Sequence, residues 1–404
     1  MAILTITRLG HQGDGIAEGP VFVPRTLPGE VVEGQVTDAR RNAPRILTPS
    51  AQRIKPPCPH YRTCGGCALQ HAHDDFVTDW KQGVLRQALS AQGIDAPFRA
   101  PHISPLRSRR RAGFAGRRLK NGAMVGFHAR ASDVLTAVPD CLILDPALVA
   151  ALPLLQDLTA REGSRKGELA LSLTLSEAGL DLAVTGGKAL DDPMRARLGE
   201  WAGQSGLARL AWDGDVIAQS QPPFHTIGRA RVTPPPGAFL QATKPAEAAL
   251  QGAVAEAIGT ASQVADLFAG CGTFALPLAE SAEVLAVESD AAMLRALDAG
   301  WRQAQGLKRV TTQTRDLFRN PVLPEDLARF DAVVIDPPRA GADAQMRALS
   351  ASRVPRIAAV SCNPVTFARD AKLLIQGGYR LDWVQVVDQF RFSPHLELAA
   401  QFTK

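Results

Sequence analysis

Two tetrapeptides in the last quarter of this 404-residue chain place reactive side chains where apolar runs stop. Asp336-Pro-Pro-Arg follows Phe330-Asp-Ala-Val-Val-Ile, and Ser361-Cys-Asn-Pro follows Arg356-Ile-Ala-Ala-Val. Proline is excluded from the interior of a sheet, so each run reads as a buried strand that ends on a polar group. One presents a carboxylate, Asp336, and the other a thiol, Cys362. A free cysteine is most often a small buried packing residue, but a thiol at a strand end, followed by Asn-Pro, is placed for nucleophilic attack. Upstream, Val264-Ala-Asp-Leu-Phe-Ala-Gly-Cys-Gly-Thr-Phe runs a third strand into the turn Gly270-Cys271-Gly272. Such a turn lets the backbone approach a ligand at the carboxyl end of a strand. Glu288 closes the next apolar run, where an acid can accept hydrogen bonds from ribose hydroxyls. A tight structural turn would account for Gly-x-Gly alone; together with the strand-end acids it indicates a nucleoside cofactor beside a cysteine nucleophile. Neither Gly-x-Gly-x-x-Gly nor Gly-Lys-Ser/Thr occurs, which disfavours dinucleotides and nucleoside triphosphates.

These groups need a scaffold. After the linker Pro234-Pro-Pro-Gly, an alanine-rich helix over 245–258 precedes strands at 264–268, 283–288, 309–314, 331–336 and 356–361, separated by helical patterns. That alternation predicts a doubly wound, Rossmann-like parallel sheet, closed by two strands in the tail, at Leu381–Asp388 and Leu396–Phe402. Residues 1–50 alternate apolar and polar residues between glycine and proline turns, as in Ile3–Thr7, Gly13–Ala17, Val21–Pro24 and Glu30–Val36, and predict a small β-barrel. A helix is expected over 74–92. Strand-like runs at 169–175 and 180–184, with a helix near 192–203, give an α+β middle region. The expected units are 1–55, 56–235 and 236–404.

Composition is that of an ordinary globular protein, 46% hydrophobic and 21% charged, without an export signal or a span that could cross a bilayer, so a cytoplasmic protein is expected. Net charge is +5, and the basic excess lies in the first 145 residues. A basic front joined to a slightly acidic back suits a protein that grips a polyanion with one part and does chemistry with the other. Within the front, Arg107-Ser-Arg-Arg-Arg111, Arg117-Arg118 and Lys120 surround Phe114. A charge run is usually a solvated face, but here phosphate contact, with Phe114 as a base-stacking group, is the expectation. Cys58, Cys64 and Cys67 cluster, and Cys141 stands apart. Zinc sites more often pair two Cys-x-x-Cys knuckles; three close thiols and a distant fourth suit an iron–sulfur cluster.

The stretches Asp266-Leu-Phe-Ala-Gly-Cys-Gly-Thr-Phe, Phe239-Leu-Gln, Asp336-Pro-Pro-Arg-Ala-Gly, Ser361-Cys-Asn-Pro-Val-Thr-Phe-Ala-Arg-Asp and Pro394-His-Leu-Glu resemble the RNA uracil-C5-methyltransferases, over nearly the whole chain. The resemblance implies S-adenosylmethionine as cofactor, Cys362 as nucleophile and Glu397, otherwise an ordinary strand carboxylate, as proton-abstracting base. It implies a cofactor pocket lined by Gln241, Phe268, Gly270, Gly272, Thr273, Glu288, Asp316 and Asp336. Thr243 and Thr273 stand where the family often has asparagine. The cysteine set is similar to the 4Fe–4S site of the family's ribosomal-RNA branch, so 23S rRNA is the implied substrate, with the T-loop uridine of tRNA as the alternative. The N-terminal strands resemble the TRAM domain, an RNA-binding barrel, and a monomer is implied. An amine methyltransferase, with no need of a thiol, and a non-catalytic RNA-binding factor are the rival readings.

Overall fold

The computed structural model describes residues 2–19, 21–34 and 44–404. Five short strands at the N-terminus form an antiparallel sheet in the order Val21–Val23, Gly15–Ala17, Ala2–Leu9, Val31–Gly34, Arg45–Thr48. Alternation turns Ile6, Ala17, Val23 and Val32 into a small core of their own. Gln35 and Val36, expected in the fourth strand, lie outside the described residues.

The middle region is a seven-stranded sheet centred on Glu168–Ser176, which pairs antiparallel with both Arg111–Arg118 and Gly179–Thr185. Helices Leu152–Glu162 and Asp192–Ser205 supply Leu155, Leu158 and Leu198 to its core. Here an expectation fails. Phe114 is 2% exposed and stacks on Phe127 with ring centroids 5.0 Å apart, so it cannot receive a base. The period of two in Arg111–Arg118 decides this: Ala112, Phe114 and Gly116 face inward, while Arg111 and Arg117 lie on the opposite face. The basic run is also partly consumed internally, Arg110 by the buried Glu247 at 2.5 Å and Arg117 by Glu168.

The C-terminal sheet has eight strands in the order Val310–Thr314, Glu283–Glu288, Gln263–Leu267, Ala332–Ile335, Arg356–Ser361, Glu397–Thr403, Arg380–Asp388, His102–Ile103. The first five are parallel; Glu397–Thr403 is antiparallel to them, and Arg380–Asp388, antiparallel to that strand, runs in their direction again. Each expected strand is present, and helix Lys244–Ile258 precedes them. Strand order reverses between Gln263–Leu267 and Ala332–Ile335, the crevice where open α/β sheets bind ligands.

The edge strand His102–Ile103 comes from the middle of the chain, and Leu85 and Leu89 of helix Asp74–Ser90 share one core with Leu374 and Phe402. Residues 74–103 therefore pack on the C-terminal sheet, although a boundary at 235 would assign them elsewhere. An apolar helix stripe records that it must be buried but not against which sheet.

The junction is fixed by a buried ion pair. Lys81 Nζ lies 2.7 Å from Asp388 Oδ2, with the lysine 1% exposed. Burial pulls the Lys81 ammonium below its ordinary value, and Asp388 opposes that pull. Removing one partner leaves a buried charge alone, at a cost of about 3–5 kcal/mol. Lys81→Met should lower unfolding free energy by about that much, and adding Asp388→Asn should restore most of it. Denaturant melts of the two variants check this.

Candidate active site

The polar groups at the carboxyl ends of the parallel strands are placed by register. Ser361 pairs with Leu398 across an antiparallel ladder, so Cys362, the next residue, sits opposite Glu397. Asn363 then caps helix Pro364–Gln376: its Oδ1 accepts from the Val365 amide at 3.1 Å, and its Nδ2 donates to the Arg339 carbonyl at 3.0 Å. That second bond ties the loop after Asp336 to the loop bearing the thiol. Cys362 is half-buried and opens into a cleft of about 690 Å³. The walls come from all three sheets, with His11 and Gln12 from the first, Arg109 and Arg130 from the second, and Arg339 and His395 beside the thiol. Buried Asp14 holds both guanidinium nitrogens of Arg130, at 2.5 and 2.8 Å, and fixes the first sheet over the cleft.

A helix N-terminus alone would favour a thiolate. Here burial first, and then the Glu397 and Asp336 carboxylates, push the Cys362 thiol up to about 11, with Arg339 pulling the other way. Glu397 is 3% exposed; burial, reinforced by Asp336, holds it well above the usual carboxylate range, and a hydrogen bond from Gln389 opposes that. Burial raises Asp336 to about 7. A third carboxylate, Asp266, was not singled out in the sequence. It is fully buried, accepts from the Ala275 amide at 2.9 Å through one oxygen, and among the described residues has no partner for the other. Burial, with Asp336 next, drives it well above its ordinary value.

The glycine turn is left-handed at Phe268 (φ 63°), Gly270 (φ 54°) and Gly272 (φ 92°). The two glycines differ in what they allow. A Cβ on Gly272 would lie 2.9 Å from Leu297, so this glycine serves helix packing. A Cβ on Gly270 would meet nothing nearer than Met293 Sδ at 4.0 Å, so its face is open. The Gly270 amide donates to Glu288 Oε2 at 3.1 Å, and the other Glu288 oxygen accepts from the Ser289 and Asp290 amides. Asp316 Oδ1 caps its own turn by accepting from the Phe318 amide, and the Phe318 ring packs 5.5 Å from Phe268. The Thr273 carbonyl accepts from Gln251, and Thr243 caps helix Lys244–Ile258 through its hydroxyl. Gln241 is buried and bonded to Gln389, a residue with no motif to mark it.

Cys58, Cys64, Cys67 and Cys141 line one cavity of about 180 Å³, so the distant fourth cysteine does join the other three. Burial raises the Cys64 and Cys141 thiols and pushes Cys67 up to about 12. Among the described residues no group of three or more His, Cys, Asp or Glu side chains is set to hold a metal ion. The thiols ring a void rather than converge on a point. Gly65 makes the wrap possible, because a Cβ there would lie 2.5 Å from the His128 carbonyl oxygen. Arg109 and Gly66 border both this cavity and the Cys362 cleft.

Because folding raises the affinity of Asp336 for a proton, the stability linked to it is complete below its unfolded value near 4 and is lost as pH rises through about 7. Asp336→Asn should therefore match the parent protein only at about pH 4 and below, and exceed its Tm by about 2 °C or more at pH 8. Thermal melts across that range check the sign.

The comparisons with known proteins agree with this geometry. Residues 235–404 match the tRNA (Uracil-5-)-methyltransferase family. An uncharacterized RNA methyltransferase of Caulobacter vibrioides is 44% identical, with 100% of both chains covered. The 23S rRNA (uracil(1939)-C(5))-methyltransferase of Shewanella piezotolerans is 32% identical over 99% of this chain and 95% of its own. In fold, the chain is similar to the Pyrococcus abyssi tRNA (uracil-54, C5)-methyltransferase solved with S-adenosyl-L-homocysteine, at a TM-score of 0.79, 21% identity and 99% coverage of each. With its strand-end thiol and acids set around an open glycine turn, the chain belongs to the S-adenosylmethionine-dependent RNA uracil-C5-methyltransferases.

Proposed function

We propose that this protein methylates carbon 5 of a uridine in 23S rRNA through a covalent Cys362–uracil adduct. The observation that carries the mechanism is the placement of Cys362 and Glu397 one step beyond Ser361 and Leu398, the last pair of one ladder, with the thiol lining a cleft open to RNA and the buried carboxylate close enough to act on it. Carbon 5 of uracil is a poor nucleophile. Addition of the Cys362 thiolate to carbon 6 makes it enolate-like. Bound S-adenosylmethionine supplies the methyl group as a sulfonium. Glu397 then takes the carbon-5 proton, the electron pair of that C–H bond becomes the C5=C6 bond, and the C6–S pair returns to sulfur. Gln241, Phe268, Gly270, Gly272, Thr273, Glu288, Asp316 and Asp336 line the cofactor side of this arrangement. Asp336 and Glu397 disfavour the thiolate while both are charged, so the reaction depends on cationic neighbours, of which Arg339 is the resident one.

The ribosomal substrate is supported by the four cysteines around one cavity beside the cleft, and by the Shewanella relative. Their donor chemistry fits a 4Fe–4S cluster: four thiols around a void suit a multi-atom core better than a single ion. Such a cluster would brace the Cys58–Cys67 loop against the segment that carries Cys141. The N-terminal sheet acts as a TRAM-like RNA-binding module, and the protein works as a cytoplasmic monomer. Methylation of tRNA is the second reading, favoured by the family match and the Pyrococcus fold.

Nucleoside mass spectrometry on unmodified 23S fragments and tRNA transcripts decides between them. 5-Methyluridine is expected from the ribosomal RNA only, and none from Cys362→Ala. Product from tRNA alone would overturn the substrate and keep the chemistry. Anaerobically purified protein should carry about four irons and as many acid-labile sulfides per chain, both lost in Cys64→Ser. Zinc without sulfide would overturn the cluster.

A further inference from the structure

Gln389 belongs to no recognisable motif, yet it touches both halves of the active site. It follows the last residue of the strand Arg380–Asp388 and is 1% exposed. Its Oε1 accepts from the Ala242 amide at 2.7 Å. A backbone N–H can only donate, so this bond fixes which end of the side-chain amide is oxygen. The NH2 group is thereby turned the other way, and its two hydrogens have two acceptors: Gln241 Oε1 at 2.6 Å and Glu397 Oε2 at 2.9 Å. Both acceptors are buried. Every hydrogen-bonding atom of the Gln389 amide is therefore committed.

The backbone that carries Gln389 is equally constrained. Asp388, the preceding residue, is clamped by Lys81, and its Oδ1 accepts from the Phe390 amide at 2.9 Å. Lys81 also donates to the Phe390 carbonyl at 3.3 Å. The amide thus hangs from a fixed point and has one rotamer in which all its bonds are made. A general base must hold its carboxylate at the proton it removes, and a rigid donor on one oxygen fixes the carboxylate plane and leaves the other oxygen for chemistry.

We propose that Gln389 is the positioning residue for the proton-abstraction step, orienting the Glu397 carboxylate and tying it to Gln241 on the cofactor side. This rests on the covalent reading above, in which thiol addition and methyl transfer come before proton removal. Gln389 touches neither the thiol nor the turn at Gly270, but it holds Gln241 on the cofactor side, so its loss should slow the last step relative to methyl transfer, whatever it does to methyl transfer itself. The proton stays on carbon 5, the C6–S bond stays closed, and methylated RNA stays attached to Cys362.

The test is a single-turnover reaction with RNA carrying tritium at uridine carbon 5 and S-adenosylmethionine carrying a 14C methyl group. Tritium released per methyl transferred is read in one mixture and does not depend on how much of a variant is folded. Gln389→Met removes both donors at similar volume. Gln389→Glu keeps an acceptor for the Ala242 amide while removing the NH2 group. Both are expected to lower the ratio about tenfold at early times, and to accumulate an RNA–protein species stable in denaturing gels. Glu397→Gln is the reference trap. If it traps methylated adduct but both Gln389 variants keep the parental ratio, the inference is overturned and the covalent reading stands. If Glu397→Gln traps nothing, the covalent reading falls and the role of Gln389 with it.

Discussion

Three buried carboxylates in or directly after strands of one sheet, Asp266, Asp336 and Glu397, set the terms for the rest of this molecule. Each is pushed toward its neutral form by burial, and Asp336 adds like-charge repulsion to the other two. Such a group stays charged only if something cationic or hydrogen-bonding compensates. The resident compensation is thin: one amide for Asp266, Gln389 for Glu397, and Arg339 acting on the thiol from the loop after Asp336. A site short of positive charge is matched to a cationic sulfonium. It is also a costly site for a protein to keep, so the surrounding structure has to hold it together by other means.

It does so with links between distant parts of the chain. Lys81 with Asp388, Arg110 with Glu247, and Arg130 with Asp14 each join segments far apart in sequence, and each has at least one partner almost fully buried. Buried pairs add little net stability compared with apolar packing, but they penalise any other arrangement. Their effect here is registration: helix Asp74–Ser90 on the C-terminal sheet, the middle sheet against helix Lys244–Ile258, and the N-terminal sheet over the cleft.

Much of this was legible in the sequence, for one reason. Parallel strands covered on both faces are continuous apolar runs, so the runs ending at Asp336, Ser361 and Glu288 announced themselves and their terminal side chains together. Cys362, Asp336 and the glycine turn could be read in that way. Gln389 and Asp266 could not, because a glutamine after a strand and an aspartate inside one acquire meaning only from what folds against them. The role of Phe114 was misjudged because the arginines around it were read as a surface. The period of two in Arg111–Arg118 carries the opposite information, with Arg111 and Arg117 on the face away from Phe114. Packing partners across the chain, such as Leu85 with Phe402, leave no local trace at all.

The excess of arginine in the front half has to be divided before it says anything about RNA. Arg110 and Arg117 are spent on Glu247 and Glu168, and Arg53 on the buried Glu30. What remains facing the cleft is a short set: Arg109 between the thiol-lined cavity and the cleft, Arg130 held at its rim by Asp14, and Arg339 beside Cys362. Three cations from different sequence neighbourhoods converge on one opening, while the acids lie behind them. Phosphates are drawn to the rim by charge, and the uracil must then pass that rim to reach Cys362. Attraction at the mouth holds the charged backbone there, and the group that goes on to the thiol is the neutral base, swung out from that backbone.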